Sequence, residues 1–102
     1  MTTSPGYTPP DVLQVADTIR HFIVRRYLPG ESPSNLLDDT PLRSTGILDS
    51  LATLGLVSFL EEHYQISVDA YETDVDNFDR IRDIAAFVAR KCASLQPRHD
   101  HA

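Results

Sequence analysis

The chain has 102 residues, of which 41% are hydrophobic, and a formal net charge of −6. This length allows one small domain with a modest core and disfavours a deep cleft between two lobes. The acidic balance disfavours nucleic acid as a partner because phosphates would repel the chain. It favours a protein partner with a basic docking patch.

Cysteine and histidine usage gives no sign of a disulfide framework or a zinc site. Cys92 is the only cysteine, and the four histidines lack metal-ligand spacings such as HxxxH or HExxH. No stretch is apolar enough to span a membrane, and the first residues lack the basic and apolar regions of a signal peptide. We therefore expect a reduced, cytoplasmic protein without a bound metal.

The first half of the chain predicts an arm, a helix and a long connection. Residues 1–10 contain three prolines and are expected to be a disordered arm. Apolar residues recur at helical spacing from residue 12 to residue 27, with Asp11 as the predicted N-cap and Pro29-Gly30 as the stop. Residues 29–48 form a connection of unusual length. The side chains expected to attach it to the core are Leu36, Leu37, Leu42, Ile47 and Leu48.

The second half predicts three more helices. One starts near Asp49 or Ser50 and ends near residue 64, and a short one lies within residues 69–78 with Tyr71, Val75 and Phe78 as core candidates. The last helix begins after its predicted cap, Asp79, and residues 96–102 are expected to be a disordered tail. Since no alternation of period two is present, the predicted fold class is all-α, a bundle of three long helices and one short helix.

The second predicted helix carries apolar residues on two sides. At about 100° per residue, Leu56, Val57 and Leu60 share the side expected to face the core. The opposite side carries Leu51, Leu54, Gly55, Ser58, Glu61 and Glu62. Single exposed leucines are common. Two of them beside a helix glycine and acidic residues favour a docking surface.

Ser50 admits three interpretations. As a nucleophile it would need a base, but His63 is 13 residues further along the same helix, about 20 Å away, and no G-x-S-x-G elbow is present. As a cap, either Ser50 or Asp49 would satisfy the free N–H groups of the first turn. As a modification site, Ser50 would attach a phosphate-linked group where a helix N-terminus stabilises negative charge.

The sequence around Ser50 resembles the acyl and peptidyl carrier protein family. The attachment motif of that family, Asp-Ser-Leu at the start of the second helix, stands here as Asp49-Ser50-Leu51 after Gly46-Ile47-Leu48. The run Leu60-Glu61-Glu62-His63-Tyr64 resembles the Leu-Glu-Glu-x-Phe run of the family, with Tyr in place of Phe. The resemblance covers about residues 11–95, which would form the carrier domain.

The resemblance implies a carrier that is a monomer and not an enzyme. Ser50, beside Asp49, would receive a 4'-phosphopantetheine arm whose thiol holds an acyl or aminoacyl group as a thioester. The implied partners are a phosphopantetheinyl transferase, an acyl- or aminoacyl-activating ligase and a downstream transferase or synthase. They would dock on the outer face of the second helix, defined by Leu51, Leu54, Gly55, Ser58, Glu61 and Glu62.

One departure from the family narrows this expectation. The bacterial fatty-acid carriers have a strongly acidic second helix, whereas Ala52, Gly55 and Ser58 occupy its outer half here. We therefore expect partner contacts that are more apolar than ionic, as in a free-standing carrier of amino-acid activation or natural-product assembly. The alternatives are an unmodified helical interaction module, in which Ser50 only caps the helix, and a small esterase that uses His63.

Overall fold

The computed structural model of the chain describes residues 11–93, and within them it leaves the side chains of residues 75 and 76 undescribed. Residues 11–93 form three long helices and one helical turn: α1 (Val12–Tyr27), α2 (Ser50–Tyr64), the turn α3 (Val75–Phe78) and α4 (Ile81–Ala93). Two 3-10 turns, Pro33–Asn35 and Ala70–Thr73, lie in the connections. Residues 11–93 contain no strand, so the all-α prediction is confirmed for this part of the chain.

The predicted boundaries of the long helices agree with the structure. The predicted short third helix is split between the 3-10 turn Ala70–Thr73 and the single turn α3, so the number of helices depends on how these turns are counted. The predicted arm, residues 1–10, and the predicted tail, residues 96–102, lie outside the described residues. Within the described range, each helix is too short or too polar to cross a bilayer.

The core lies between α1 and α4, and one face of α2 closes it. Asp11 occupies the N-cap position of α1 as predicted, but only its backbone acts there, since its carbonyl accepts a hydrogen bond from the N–H of Val15 at 2.9 Å. Cys92 is fully buried and is a small core residue. The largest fully buried side chains of the long helices are Ile19, Ile23, Leu56, Leu60, Ile81 and Ile84.

The connections follow the predicted burial only in part. Leu42 and Leu48 are buried as expected, but Leu37 is 62% exposed. The adjacent Leu36 is buried as expected, and the Leu37 N–H donates a hydrogen bond to the Thr40 hydroxyl at 3.1 Å in a surface turn. Two side chains that are adjacent in such a turn point in different directions, so only one of them reaches the core.

The core candidates of the short third helix had mixed outcomes. Phe78 is fully buried as predicted, whereas Tyr71 is 77% exposed. Tyr71 lies in a 3-10 turn that is fixed by a capping box between Asp69 and Glu72. The side chains of a 3-10 turn repeat with a shorter period than those of the predicted α-helix, so Tyr71 does not face the core. The side chain of Val75 lies outside what the structure describes.

Asp79 does not cap α4 as predicted. Its side chain is buried, and its Oδ1 accepts hydrogen bonds from the N–H groups of Arg43 at 2.9 Å and Ser44 at 3.4 Å. At the start of α4, the Arg80 carbonyl accepts from the N–H of Ile84 at 3.0 Å. The carboxylate that the sequence assigned to a helix end therefore holds the connection ahead of α2.

The end of α1 approaches the start of α2 closely at Gly55. The Tyr27 hydroxyl donates a hydrogen bond to the Ala52 carbonyl at 3.2 Å. A Cβ at position 55 would collide with that hydroxyl oxygen, whereas the Cζ carbon of the ring would lie 3.6 Å from it, an ordinary contact. A glycine inside a helix costs about 1 kcal/mol relative to alanine, and the position of Tyr27 explains why it is tolerated.

Replacing Gly55 by alanine should therefore have different effects on stability in two backgrounds. With Tyr27 present, Gly55→Ala should fail to stabilise the protein, because the collision offsets the gain in helix propensity. In a Tyr27→Phe background, the same change should raise the free energy of unfolding by about 1 kcal/mol. Urea denaturation of the four proteins measures this double-mutant cycle, and the same stabilisation in both backgrounds would contradict the assigned contact.

Candidate functional site

The connection ahead of α2 is fixed before it reaches Ser50. The Leu42 N–H donates to the Asp79 carbonyl at 2.6 Å, and the Leu48 N–H donates to the Leu42 carbonyl at 2.8 Å. Both leucines are buried. Between them the chain turns at Gly46, whose φ of +84° lies in the left-handed region that favours glycine. The residues that follow Leu48 are thus presented from an anchored backbone.

Asp49 caps α2, and Ser50 does not. The Asp49 Oδ1 accepts a hydrogen bond from the Ala52 N–H at 2.8 Å, and its carbonyl accepts from the Thr53 N–H at 2.8 Å. Ser50 is the first helical residue, its side chain is exposed, and within residues 11–93 no protein group hydrogen-bonds its hydroxyl. The choice of cap that the sequence left open is thus decided for Asp49, and the Ser50 oxygen stays accessible for chemistry.

The outer face of α2 is exposed as the helical wheel predicts. Leu51 and Leu54 are 77% and 62% exposed, and Ser58 and Glu62 are also exposed. Glu61 is half-buried, because its carboxylate accepts a hydrogen bond from the Val68 N–H at 2.9 Å and so holds the connection after α2. That these residues bind a partner stays a prediction.

A groove that the sequence gave no sign of lies beside Ser50. It has a volume of about 450 Å³ and runs between the end of α1, the connection and the first turns of α2. Its walls include Asp49 and Leu51, the two sequence neighbours of Ser50, and α1 contributes Arg26 and Tyr27. The remaining lining residues are Ile47, Ala52 and Gly55. Only the packing of α1 against α2 brings these residues together.

His63 is poorly placed to serve as a base for Ser50. It lies in the last turn of α2, where its ring stacks on Phe59 with a centroid separation of 5.1 Å. At 1.5 Å of rise per residue, the two ends of α2 are about 20 Å apart. Among residues 11–93, no three His, Cys, Asp or Glu side chains are grouped to hold a metal ion.

The two residues that compete for the cap should differ in their effect on stability. Asp49→Ala should lower the free energy of unfolding by about 1 kcal/mol, because the Ala52 N–H loses its acceptor. Ser50→Ala should change it by less than about 0.5 kcal/mol, since an exposed hydroxyl without a partner is lost. Urea denaturation of the unmodified proteins measures both, and an equal loss in the two variants would contradict the assignment of the cap.

Comparison with known proteins identifies a protein that shares this fold. No family model matches the chain, and no curated protein matches it. The chain is similar to a solved structure of KstB-PCP, a peptidyl carrier protein, in its apo form, with a TM-score of 0.69 and 31% sequence identity. The match covers 85% of this chain and 92% of that chain, so the similarity concerns the whole fold.

Proposed function

Because the chain belongs to the acyl and peptidyl carrier protein family, we propose that it holds an acyl or aminoacyl group as a thioester on a 4'-phosphopantetheine arm at Ser50. The observation that supports this most is the division of roles at the start of α2. Asp49 takes the cap, and the exposed Ser50 hydroxyl has no protein partner within residues 11–93.

The surroundings of Ser50 suit a phosphate. The first turn of a helix has N–H groups without helical acceptors, and the helix dipole favours negative charge there. The Asp49 side chain occupies the Ala52 N–H, so the favourable contribution to a phosphate on Ser50 comes from the dipole and the remaining N–H groups. The exposed serine also allows a modifying enzyme to approach without unfolding the site.

The arm supplies the thiol on which the cargo is held, and the chain supplies position. Asp49 fixes where α2 begins, and the buried Leu48 fixes the backbone that leads into it. Ser50 then projects from the first turn of α2 and not from the connection. We expect no catalysis by the chain itself, since its role is to present the cargo to other enzymes.

The outer face of α2 is the proposed docking surface for those enzymes. Leu51 and Leu54 are exposed within one turn of Ser50, so a partner that contacts them also has its active site within reach of the arm. The proposed partners are a phosphopantetheinyl transferase, an acyl- or aminoacyl-activating ligase and a downstream transferase or synthase. The remaining residues of the surface are Gly55, Ser58, Glu61 and Glu62.

The composition of this surface favours one class of pathway. Acidic residues are confined to its far end, at Glu61 and Glu62, and Glu61 already accepts a hydrogen bond from the chain. Partner contacts near Ser50 are therefore apolar, in keeping with amino-acid activation or natural-product assembly. The alternative, an unmodified interaction module with Ser50 as the cap, is disfavoured because Asp49 caps α2.

Intact mass measurement tests the attachment site. Incubation with coenzyme A and a broad-specificity phosphopantetheinyl transferase should add the mass of one phosphopantetheine group. Ser50→Ala should abolish the addition, while Ser67→Ala, which changes an exposed serine beyond the end of α2 and outside the docking surface, should retain it. An arm on the Ser50→Ala protein would overturn the proposed site.

A charge on the docking surface should weaken loading without unfolding the protein. Leu54→Glu should lower kcat/KM for loading of the holo protein by its ligase about tenfold, as expected when an apolar interface residue is lost. Its free energy of unfolding should change by less than about 0.5 kcal/mol, since Leu54 is exposed.

Leu13→Glu is the matched control for this measurement. Leu13 is 73% exposed and lies in the first turn of α1, at the opposite end of that helix from Tyr27, which contacts the start of α2. This variant should load like the unchanged protein. Equal losses in the two variants would show that net charge decides loading, and a large loss of stability in Leu54→Glu would show that Leu54 supports the fold.

A further inference from the structure

We propose that the phosphopantetheine arm rests in the groove beside Ser50, with the guanidinium of Arg26 facing its phosphate. This inference rests on the proposed function, because it needs an arm on Ser50. It assigns a role to the end of α1, which forms neither the attachment motif nor the outer face of α2. The residues that line the groove are Arg26, Tyr27, Ile47, Asp49, Leu51, Ala52 and Gly55.

The attachment point lies at the edge of this groove. Asp49 and Leu51 both line it, and Ser50 stands between them at the first position of α2. A group attached to Ser50 is therefore held next to the groove at a high effective concentration, and even a weak contact is populated. A free molecule of the same chemistry would lack this advantage.

Arg26 supplies charge complementarity. Its side chain is exposed, and within residues 11–93 it forms no ion pair or hydrogen bond. Other arginines are engaged: Arg20 pairs with Asp17 and Asp38, and Arg43 donates to the Thr73 carbonyl at 2.7 Å. A guanidinium matches phosphate oxygens better than an ammonium does. The Arg26 guanidinium is thus available to the phosphate that attachment of the arm to Ser50 would introduce beside it.

The dimensions and walls of the groove suit the rest of the arm. A volume of about 450 Å³ falls within the range of about 300–1,000 Å³ that is typical of small-ligand sites. The Tyr27 ring and the side chains of Ile47 and Leu51 offer apolar contact to the aliphatic part of pantetheine. Gly55 also lines the groove, and the Tyr27 hydroxyl occupies the space that a side chain at this position would take.

The balance of these contacts predicts a resting position that exchanges readily. Asp49 also lines the groove and repels a phosphate, so Arg26 has to offset that carboxylate. Exposed ion pairs change an equilibrium by about 1.4-fold to 5-fold. An arm held this weakly leaves the groove when a partner enzyme competes for it, as a carrier requires.

Nuclear magnetic resonance of the arm-bearing protein tests the proposal. Its arm is first verified by intact mass, and amide shifts are then compared with those of the unmodified protein. The expected changes extend beyond residues 49–51 to Arg26, Tyr27 and Ile47. With an isotope-labelled arm, Arg26→Gln should lower the ratio of docked to free arm by about 1.4-fold to 5-fold at low salt.

Arg25→Gln is the matched control, since Arg25 is an exposed neighbour of Arg26 that lines a different groove with His21 and His63. It should leave the ratio unchanged. Equal effects of the two variants, or shift changes confined to residues 49–51, would overturn the resting site while the carrier function stands. Absence of the arm in the mass measurement would instead overturn the proposed function and this inference with it.

Discussion

The buried carboxylate of Asp79 determines where the candidate site lies. It accepts hydrogen bonds from the N–H groups of Arg43 and Ser44, and the Asp79 carbonyl accepts one from the N–H of Leu42. A buried carboxylate without donors is costly, so the connection and the segment before α4 stabilise each other. Through Leu42 and Leu48, this contact fixes the backbone that leads to Asp49. The position of Ser50 thus depends on a residue from the segment between α3 and α4.

The helices were predictable because their signals are local. Apolar spacing and capping residues lie within a few positions of each other, and α1, α2 and α4 follow them. Connections have no such period, which is why the prediction of Leu37 and Tyr71 as core residues is wrong. The wrong cap prediction for Asp79 also results from contacts that are distant in sequence. An aspartate before a helix usually caps it, but the Asp79 carboxylate accepts hydrogen bonds from the N–H groups of Arg43 and Ser44.

The candidate site was predictable in its centre and not in its surroundings. The Asp-Ser-Leu motif locates the start of α2, but the choice between Asp49 and Ser50 as the cap required the geometry of one hydrogen bond. The sequence predicts Gly55 as part of the outer face of α2, whereas the structure also packs it against Tyr27. The groove with Arg26 depends on the same approach of α1 to α2. Residues of two helices that are so distant in sequence meet only in the folded chain, so no spacing in the sequence predicts the groove.

The two faces of α2 are separated in a way that suits a carrier. Its inner residues, Leu56 and Leu60, are fully buried and contribute to stability, while Leu51 and Leu54 contribute little because they remain in water. Under the proposed function, substitution of Leu51 or Leu54 therefore changes partner recognition without endangering the fold. Gly55 is the exception, since it borders both the core contact with Tyr27 and the groove beside Ser50. A change at that position alters the packing against Tyr27 and the groove proposed for the arm together, so stability and the proposed resting site cannot vary independently there.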